Sequence, residues 1–147
     1  MRLRPFRPSD LETLYEIDHA CFAPGVSYSW EEMARFIAHS NSKTWVAEEG
    51  DSIIGFAVAE RRSGRVGHIV TIDVVEQWRR HGVGKALMDA AEDWARQHGL
   101  GFIYLETAAD NLVAQAFYEA RDYVKLQKRE RYYANGKAAW VMMKSLE

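Results

Sequence analysis

Glycine, arginine and lysine crowd one short stretch of the chain, Arg79-Arg80-His81-Gly82-Val83-Gly84-Lys85. The chemistry they suggest is anion binding. Upstream, His68 to Val74 is a β-branched apolar run of the kind that fills a buried strand. Downstream, Val83, Ala86, Leu87, Ala90, Ala91 and Trp94 repeat at helical spacing for more than three turns. The turn therefore opens a helix, where the first amides lack an intrahelical partner and face the positive end of the dipole. Gly82 and Gly84 carry no Cβ, so a phosphate can approach the backbone closely. Arg79, Arg80 and Lys85 add cations around the same turn. The pattern asks for a phosphorylated ligand; the plain alternative is a turn whose glycines only punctuate a helix.

Other phosphate and metal chemistries are excluded by inspection. No GxxxxGK[ST] occurs, so this is not a Walker loop. The dinucleotide fingerprint needs a third glycine, and Lys85-Ala86 runs straight into the helix instead. The five histidines form no HExxH, and one cysteine cannot build a familiar zinc cluster, so no metal is expected. That cysteine, Cys21, falls in an amphipathic helix beside Phe22 and reads as a core thiol rather than a nucleophile. It also rules out an internal disulfide, which fits a reducing cytoplasm.

The 147 residues suit one domain, 1–147, with a real core, and 48% hydrophobic against 27% charged content is that of a globular protein. A net charge of −2 gives no overall pull toward nucleic acid or anionic lipid, so any cationic patch is local. The start, MRLRPFRPSD, has no apolar signal region, and no 18-residue apolar run is present. Neither secretion nor a membrane partner is expected.

These residues need elements to position them. Met1 to Phe6 reads as an edge strand. Ser9-Asp10-Leu11-Glu12 has capping-box spacing, with Ser9 as N-cap, ahead of a helix carrying Leu11, Leu14, Ile17, Asp18, Cys21 and Phe22. A second box, Ser29 to Glu32, opens a helix with Trp30, Met33, Ala34 and Ile37 on one face. Strands follow at Thr44 to Glu48 and Ile53 to Glu60, then the His68 strand and the long helix. Phe102 to Glu106 is a strand that a right-handed crossover makes parallel to the His68 strand. Leu112 to Arg121 is a short helix, and Lys125 to Tyr133, Asn135-Gly136 and Ala138 to Lys144 make a terminal hairpin. Ligands of open α/β sheets lie beyond the carboxyl ends of parallel strands, here near Val74 and Glu106.

Arg79-x-x-Gly82-x-Gly84 resembles the acyl-CoA pyrophosphate loop of the GNAT N-acetyltransferases. Leu105-Glu106, Asn111, Ala114, Phe117-Tyr118 and Tyr123 resemble the equivalent run in RimI-type protein N-terminal acetyltransferases. Arg131-Tyr132-Tyr133 with Asn135-Gly136 resembles that family's last hairpin, and Phe22, Ser29 and Trp30 match more loosely. The likeness spans nearly the whole chain and is strongest from Ile69 to Tyr123. It implies an α/β (α+β) fold, a mixed sheet of about seven strands flanked by about four helices. It implies acetyl-CoA as co-substrate, with Arg79, Arg80, His81, Gly82, Val83, Gly84 and Lys85 on its pyrophosphate. Ile72, Asp73 and Val74 would pair through their backbone with the pantetheine arm, as an added strand does at a sheet edge. An amide there, such as that of Val74, would donate to the thioester carbonyl as charge builds on it. Asn111 and Tyr118 would also touch the cofactor.

By the same resemblance Glu106 is the proton acceptor and Tyr118 the proton donor. The chemistry needs both: an amine attacks only when neutral, and a leaving thiolate is helped by an acid. A phenol of pKa about 10 keeps its proton at pH 7. The residues alone also allow Glu106 as a solvated strand end and Tyr118 as a core aromatic. Phe22, Trp30, Tyr132 and Tyr133 would flank a peptide end, or simply pack. The chain departs from the family at Asp122, where a glycine usually precedes the aromatic, and at Val75, Ala134 and Ala138. The implied acceptor is the α-amine of a protein or peptide N-terminus, a ribosomal protein among them, with the acetyl group passed directly in a ternary complex. An α-amine with pKa near 8 is neutral far more often at pH 7 than a lysine amine near 10.4. A small-molecule amine acetyltransferase and a non-catalytic acyl-CoA-binding domain remain as rivals. The enzyme is expected to act as a monomer or a weak homodimer.

Overall fold

Strands and helices sort into one sheet with helices on both faces, because the central strands, Ile54 to Ala59 above all, are apolar on two sides. A computed structural model describes residues 1–147. The strands are β1 (Arg2–Pro5), β2 (Ser42–Glu49), β3 (Ser52–Arg61), β4 (Val66–Val74), β5 (Phe102–Ala108), β6 (Val124–Arg129) and β7 (Ala139–Ser145). The helices are α1 (Leu11–Cys21), α2 (Trp30–Ala38), α3 (Val83–Gln97) and α4 (Leu112–Ala120). The sheet order is β1-β2-β3-β4-β5-β7-β6. Every neighbouring pair is antiparallel except β4 with β5, the pair joined by the α3 crossover. This is the mixed seven-stranded, four-helix architecture that the resemblance implies.

One face of the sheet is covered by α1 and α2. Leu14, Ile17 and Met33 meet Val46, Phe56 and Val58 there. The other face is covered by α3 and α4, where Leu87, Met88, Ala91, Ala95 and Tyr118 meet Ala57, Ile69, Ile103, Leu105 and Met142.

Two features of β4 shape the cleft beside it. First, Val58 pairs with Thr71 and Ala59 with Ile69, so Val70 is an extra residue without a cross-strand partner. Such a bulge turns the strand and switches which side chains face which layer. Ile69 and Ile72 thus both pack on the α3 side, whereas Val70 packs on the α1 side. Second, β4 and β5 pair over only three rungs, Val66 with Phe102 to His68 with Tyr104. Beyond His68 the strands part, and β5 continues beside β7 over all seven of its residues. The sheet forks at His68 and Tyr104.

Local signals succeeded and failed for identifiable reasons. Ser29 caps α2 as expected: its hydroxyl accepts from the Glu32 amide at 3.1 Å, and Glu32 accepts from the Ser29 amide at 2.9 Å. Ser9 does not cap α1. Pro8–Asp10 is a 3-10 turn in which Asp10 accepts from the Arg7 amide, because Arg4 holds the Asp10 carboxylate in a two-pronged bond at 2.8 and 2.9 Å. The first terminal strand is also shorter than expected, and the second is as long as expected but shifted by one residue. They end at Arg129 and begin at Ala139, and Asn135-Gly136 lies within a wide loop rather than a two-residue turn. Asp122 adopts the left-handed conformation usually left to glycine, φ 73°, so the fold keeps its backbone there.

Candidate active site

The glycine turn is built as an anion seat. Gly82, at φ 82°, is the N-cap of α3. The amides of residues 80–85 donate to no backbone carbonyl; the first helical bond comes from Ala86 to Gly82. A Cβ on Gly82 would meet nothing within 4 Å, so the space above the turn is open. Gly84 instead faces the Phe117 ring, 3.4 Å from where a Cβ would sit, so it lies at the packed contact between α3 and α4. The cations divide. Arg80, at φ 64°, is exposed and unpaired. Lys85 pairs with Asp89 at 3.1 Å across an exposed helical turn. Arg79 is not a free arm: its Nε donates to the Val74 carbonyl at 3.1 Å and ties the turn to the strand end. His81 lies exposed against Trp78, with Nδ1 2.9 Å from the Arg79 carbonyl.

From the fork onward, Ile69 to Val74 have no partner on the β5 side. Ile72 and Val74 therefore lie on the open limb of the fork, beside the glycine turn. The Asp73 side chain turns away into the α1 layer and is buried. Its Oδ1 accepts from the Thr71 hydroxyl at 2.6 Å. Asp18 of α1 is its other neighbour, and burial, then Asp18, raise the Asp73 pKa well above the usual carboxylate range. Sequence reading placed Asp73 only by its backbone and missed this carboxyl. A hydrophilic side chain in a run of Ile, Val and Thr was the signal that pointed to it.

The fork itself carries a row of charged groups that crosses three strands. His68 Nδ1 is 3.1 Å from Glu60 of β3, and Nε2 is 2.7 Å from Glu106 of β5. The imidazole also stacks on Tyr104, centroids 4.4 Å apart. Both contacts are hydrogen bonds to carboxylates when the ring carries two protons. Burial opposes that charge, but the bonds to Glu106 and Glu60 outweigh it, and the His68 pKa is raised. The hydrogen bond from His68 in turn lowers the pKa of Glu60. Glu106 is thus a half-buried carboxylate oriented by a neighbour rather than a free strand end. Neither His68 nor Glu60 stood out in the sequence, because their partnership needs the strand register that sets Glu60 opposite His68.

Tyr118 of α4 is 8% exposed, packs on Tyr123, and its hydroxyl donates to no group of the chain. Burial, then the Asp73 carboxyl, raises its pKa above the ordinary phenol value, so it stays protonated through the neutral range. Asn111 caps α4: its Oδ1 accepts from the Ala114 amide at 3.1 Å, which leaves its amide nitrogen for a ligand. Cys21 is half-buried and its thiol donates weakly to the Val74 carbonyl at 3.4 Å. Burial, then Asp73, pushes its pKa up to about 11, the opposite of what a nucleophile needs.

Two loops close over the fork. Ala134 donates to the Gly25 carbonyl at 3.1 Å, and the Asn135 side chain donates to the Pro24 carbonyl at 3.2 Å. They clasp the α1–α2 loop to the β6–β7 loop. Tyr28 hangs from this clasp: its amide donates to Asp18 at 2.8 Å and its hydroxyl to the carbonyl of the bulged Val70 at 3.0 Å. Tyr132 and Tyr133 meet edge to face at 4.9 Å. The pKa values of Tyr28, Tyr132 and Tyr133 are all raised, by burial first and with Glu106 contributing to each. The three phenols therefore lie close enough to Glu106 to feel its charge. Phe22 lines a hollow at the base of the same loop with His19 and Tyr28. Trp30 points elsewhere: it is 40% exposed and packs edge-on against Tyr15 of α1. Tyr28 holds the place expected of Trp30.

A family model described as Acetyltransferase (GNAT) family matches residues 11–123. The N-alpha-acetyltransferase of Saccharolobus solfataricus is 26% identical, over 98% of this chain and 92% of its own length. The structure of the ribosomal-protein-S18-alanine N-acetyltransferase of Escherichia coli superposes with a TM-score of 0.87 at 21% identity, over 99% of this chain and 94% of that one. Arabidopsis thaliana NAA60 in complex with acetyl-CoA superposes with a TM-score of 0.83 at 22% identity, over 98% and 97%.

Proposed function

The chain belongs to the acetyltransferase (GNAT) family and is an N-acetyltransferase; from that premise we propose that it moves the acetyl group of acetyl-CoA to the α-amine of a protein or peptide N-terminus, in the cytoplasm. The observation that carries this reading is the fork. It leaves one edge of β4 open beside six unpartnered amides, with Glu106 at its mouth and Tyr118 behind it. The residues present fit acetyl-CoA. The amides of 80–85, with Arg80 free to join them, would hold its diphosphate, and the open edge at Ile72 to Val74 would pair with the amide-bearing pantetheine arm as with an added strand. Acetyl-CoA supplies an activated acyl thioester.

Direct transfer then needs three acts from the chain. Glu106, oriented by His68, takes a proton from the amine or from a water bound to it. The neutral nitrogen attacks the carbonyl carbon, a C–N bond forms, and an open amide of β4 holds the developing oxyanion. The C–S bond breaks, Tyr118 gives its proton to the departing sulfur, and the resulting phenolate takes the second proton that the nitrogen sheds as the amide forms. An α-amine suits this site better than lysine because its lower pKa leaves a larger neutral fraction at pH 7. The clasped loops bring the phenols of Tyr28, Tyr132 and Tyr133 to the Glu106 side of the fork, where they would flank an extended chain end. The S. solfataricus relative, an N-alpha-acetyltransferase, supports the same acceptor class. A ribosomal protein is one acceptor of this class.

The test is acetylation of a peptide library differing in the first two residues, with polyamines and aminoglycosides alongside. We expect peptides to be turned over and Tyr118→Phe to lower kcat by about a hundredfold while CoA binding persists. Turnover of the small amines alone would refute the acceptor. CoA binding without turnover of any amine would point to a binding domain.

A further inference from the structure

Asp18 and Asp73 are buried carboxyls with no role in the proton transfers above. Their exposures are 0% and 1%, and each keeps one oxygen, Asp18 Oδ1 and Asp73 Oδ2, without any donor. The remaining oxygens are used: Asp73 Oδ1 by the Thr71 hydroxyl at 2.6 Å, Asp18 Oδ2 by the Tyr28 amide at 2.8 Å. Contacts on both sides bring the two side chains together between α1 and β4: Tyr28 joins Asp18 to the Val70 carbonyl, and Cys21, one helical turn on from Asp18, donates to the Val74 carbonyl next to Asp73 at 3.4 Å. In keeping with that, Asp18 is among the causes that raise the Asp73 pKa. Two bare carboxylates in that position would repel in a medium that screens poorly. A single proton between them removes the repulsion and satisfies both orphaned oxygens at once.

We propose that Asp18 and Asp73 are positioning residues for the acceptor: their carboxyls share one proton, and the resulting bond between α1 and β4 holds Tyr28 seated at the mouth of the fork. The chain of contacts is short. Thr71 and Asp73 stand on β4, Asp73 donates to Asp18, and Asp18 accepts from the Tyr28 amide. Tyr28 then returns to β4 through its hydroxyl on Val70. Loss of the shared proton places two anions face to face and loosens the seat from within. The other groups that face the pair do not replace that proton. Cys21 stays a thiol, and Tyr28 and Tyr118 stay phenols, because burial raises the pKa of each. Arg79, the one cation that acts on Asp73, is already bonded to the Val74 carbonyl. The pair therefore sets an upper pH for acceptor binding that is separate from the ionisation of the amine.

This inference rests on the acetyl-transfer reading only for its kinetic readout, so the experiment has an arm without turnover. Infrared spectra of the wild-type protein at pH 7.5 are expected to show the carbonyl band of an un-ionised carboxyl, absent in Asp73→Asn. Deuterium exchange at the Tyr28 amide is expected to quicken at least tenfold in Asp73→Leu, which offers Asp18 no donor. Asp73→Asn, whose amide can donate, is expected to leave that exchange near the wild-type rate. In turnover, Asp73→Leu is expected to raise the peptide KM about tenfold above that of Asp73→Asn, one lost hydrogen bond being worth about that factor. Asp73→Asn is expected to keep the peptide KM and carry it to higher pH than the wild type. Absence of the infrared band at pH 7.5 overturns the proposal. So does an alkaline limit on peptide KM that is unmoved in Asp73→Asn, a variant that retains every hydrogen bond and decides the matter even where Asp73→Leu does not fold. A wild type that shows the band and the protected Tyr28 amide yet acetylates no peptide refutes the acceptor and leaves the pair standing.

Discussion

Replacing Glu60 with glutamine asks whether the imidazole at the fork is charged. His68 is bonded on both nitrogens to carboxylates, and the side chains of Glu60, His68 and Glu106 are 15%, 12% and 16% exposed, so solvent screens the pair only weakly. A folded-state pKa above the ordinary histidine value of about 6.5 has a definite sign in stability. Below the unfolded value both states are charged, and the folded state enjoys both bonds in full. As pH rises through the raised folded value, the ring gives up a proton and the contribution is lost. Glu60→Gln keeps an acceptor of the same shape and removes the charge. A hydrogen bond between charged partners is worth about 1.5–3 kcal/mol and a neutral one about 1. The variant should therefore lose about 1–2 kcal/mol at pH 5.5 and only a few tenths at pH 9.5. Urea unfolding of wild type and variant across that range, with equal slopes, gives the difference directly. A cost that is the same at both pH values would mean a neutral His68 and refute the bracket. A variant more stable than wild type at pH 5.5 would refute it as well.

Three further outcomes concern other sites. Gly82→Val forces an L side chain into φ 82° at a strain of about 1–2 kcal/mol and covers the unpartnered amides, so calorimetry should show CoA affinity at least tenfold weaker; an unchanged Kd would mean the diphosphate lies elsewhere. Gly25→Ala places a Cβ 2.7 Å from Asn135 at φ 88°, which should spring the clasp and raise the peptide KM several-fold, with little effect on acetyl-CoA; a matching loss for both substrates would contradict the clasp's assignment to the acceptor. Asp10 is buried in its bond with Arg4, which holds its pKa below the usual carboxylate range, so its contribution is complete above that range and lost as pH falls through the lowered value. Asp10→Ala should cost about 3 kcal/mol at pH 7, and denaturation at pH 2 should find the gap to wild type much reduced.

Whatever depends on neighbours along the chain is legible in the amino-acid sequence. The Ser29–Glu32 cap is closed by four consecutive residues, and the α3 stripe and its glycine turn need only helical geometry. The parallel β4–β5 pair comes from the crossover rule. Contacts across the sheet are invisible at that level. The Ser9 cap fails because Arg4, on another element, captures Asp10. The bulge at Val70 leaves no trace in an unbroken apolar run, yet it decides that Asp73 faces α1. Glu60 and His68 meet only through β3–β4 register, and Tyr28 rather than Trp30 reaches β4, at the Val70 carbonyl, because the loop doubles back to Asn135. The resemblance pointed to Glu106 and Tyr118; it carried no information on Asp18, whose proposed role depends on a partner far along the chain.

The parting of β4 from β5 after three rungs leaves the free protein with an unfinished edge, and on the reading proposed above the co-substrate would finish it. Co-substrate supply and stability would thereby be coupled: those amides of Ile69 to Val74 that face away from β3 are open in the empty enzyme and would become ladder donors with pantetheine beside them. An enzyme starved of acetyl-CoA is then a softer body, open to proteolysis along its central seam, and its abundance would follow the acetyl supply of the compartment that holds it.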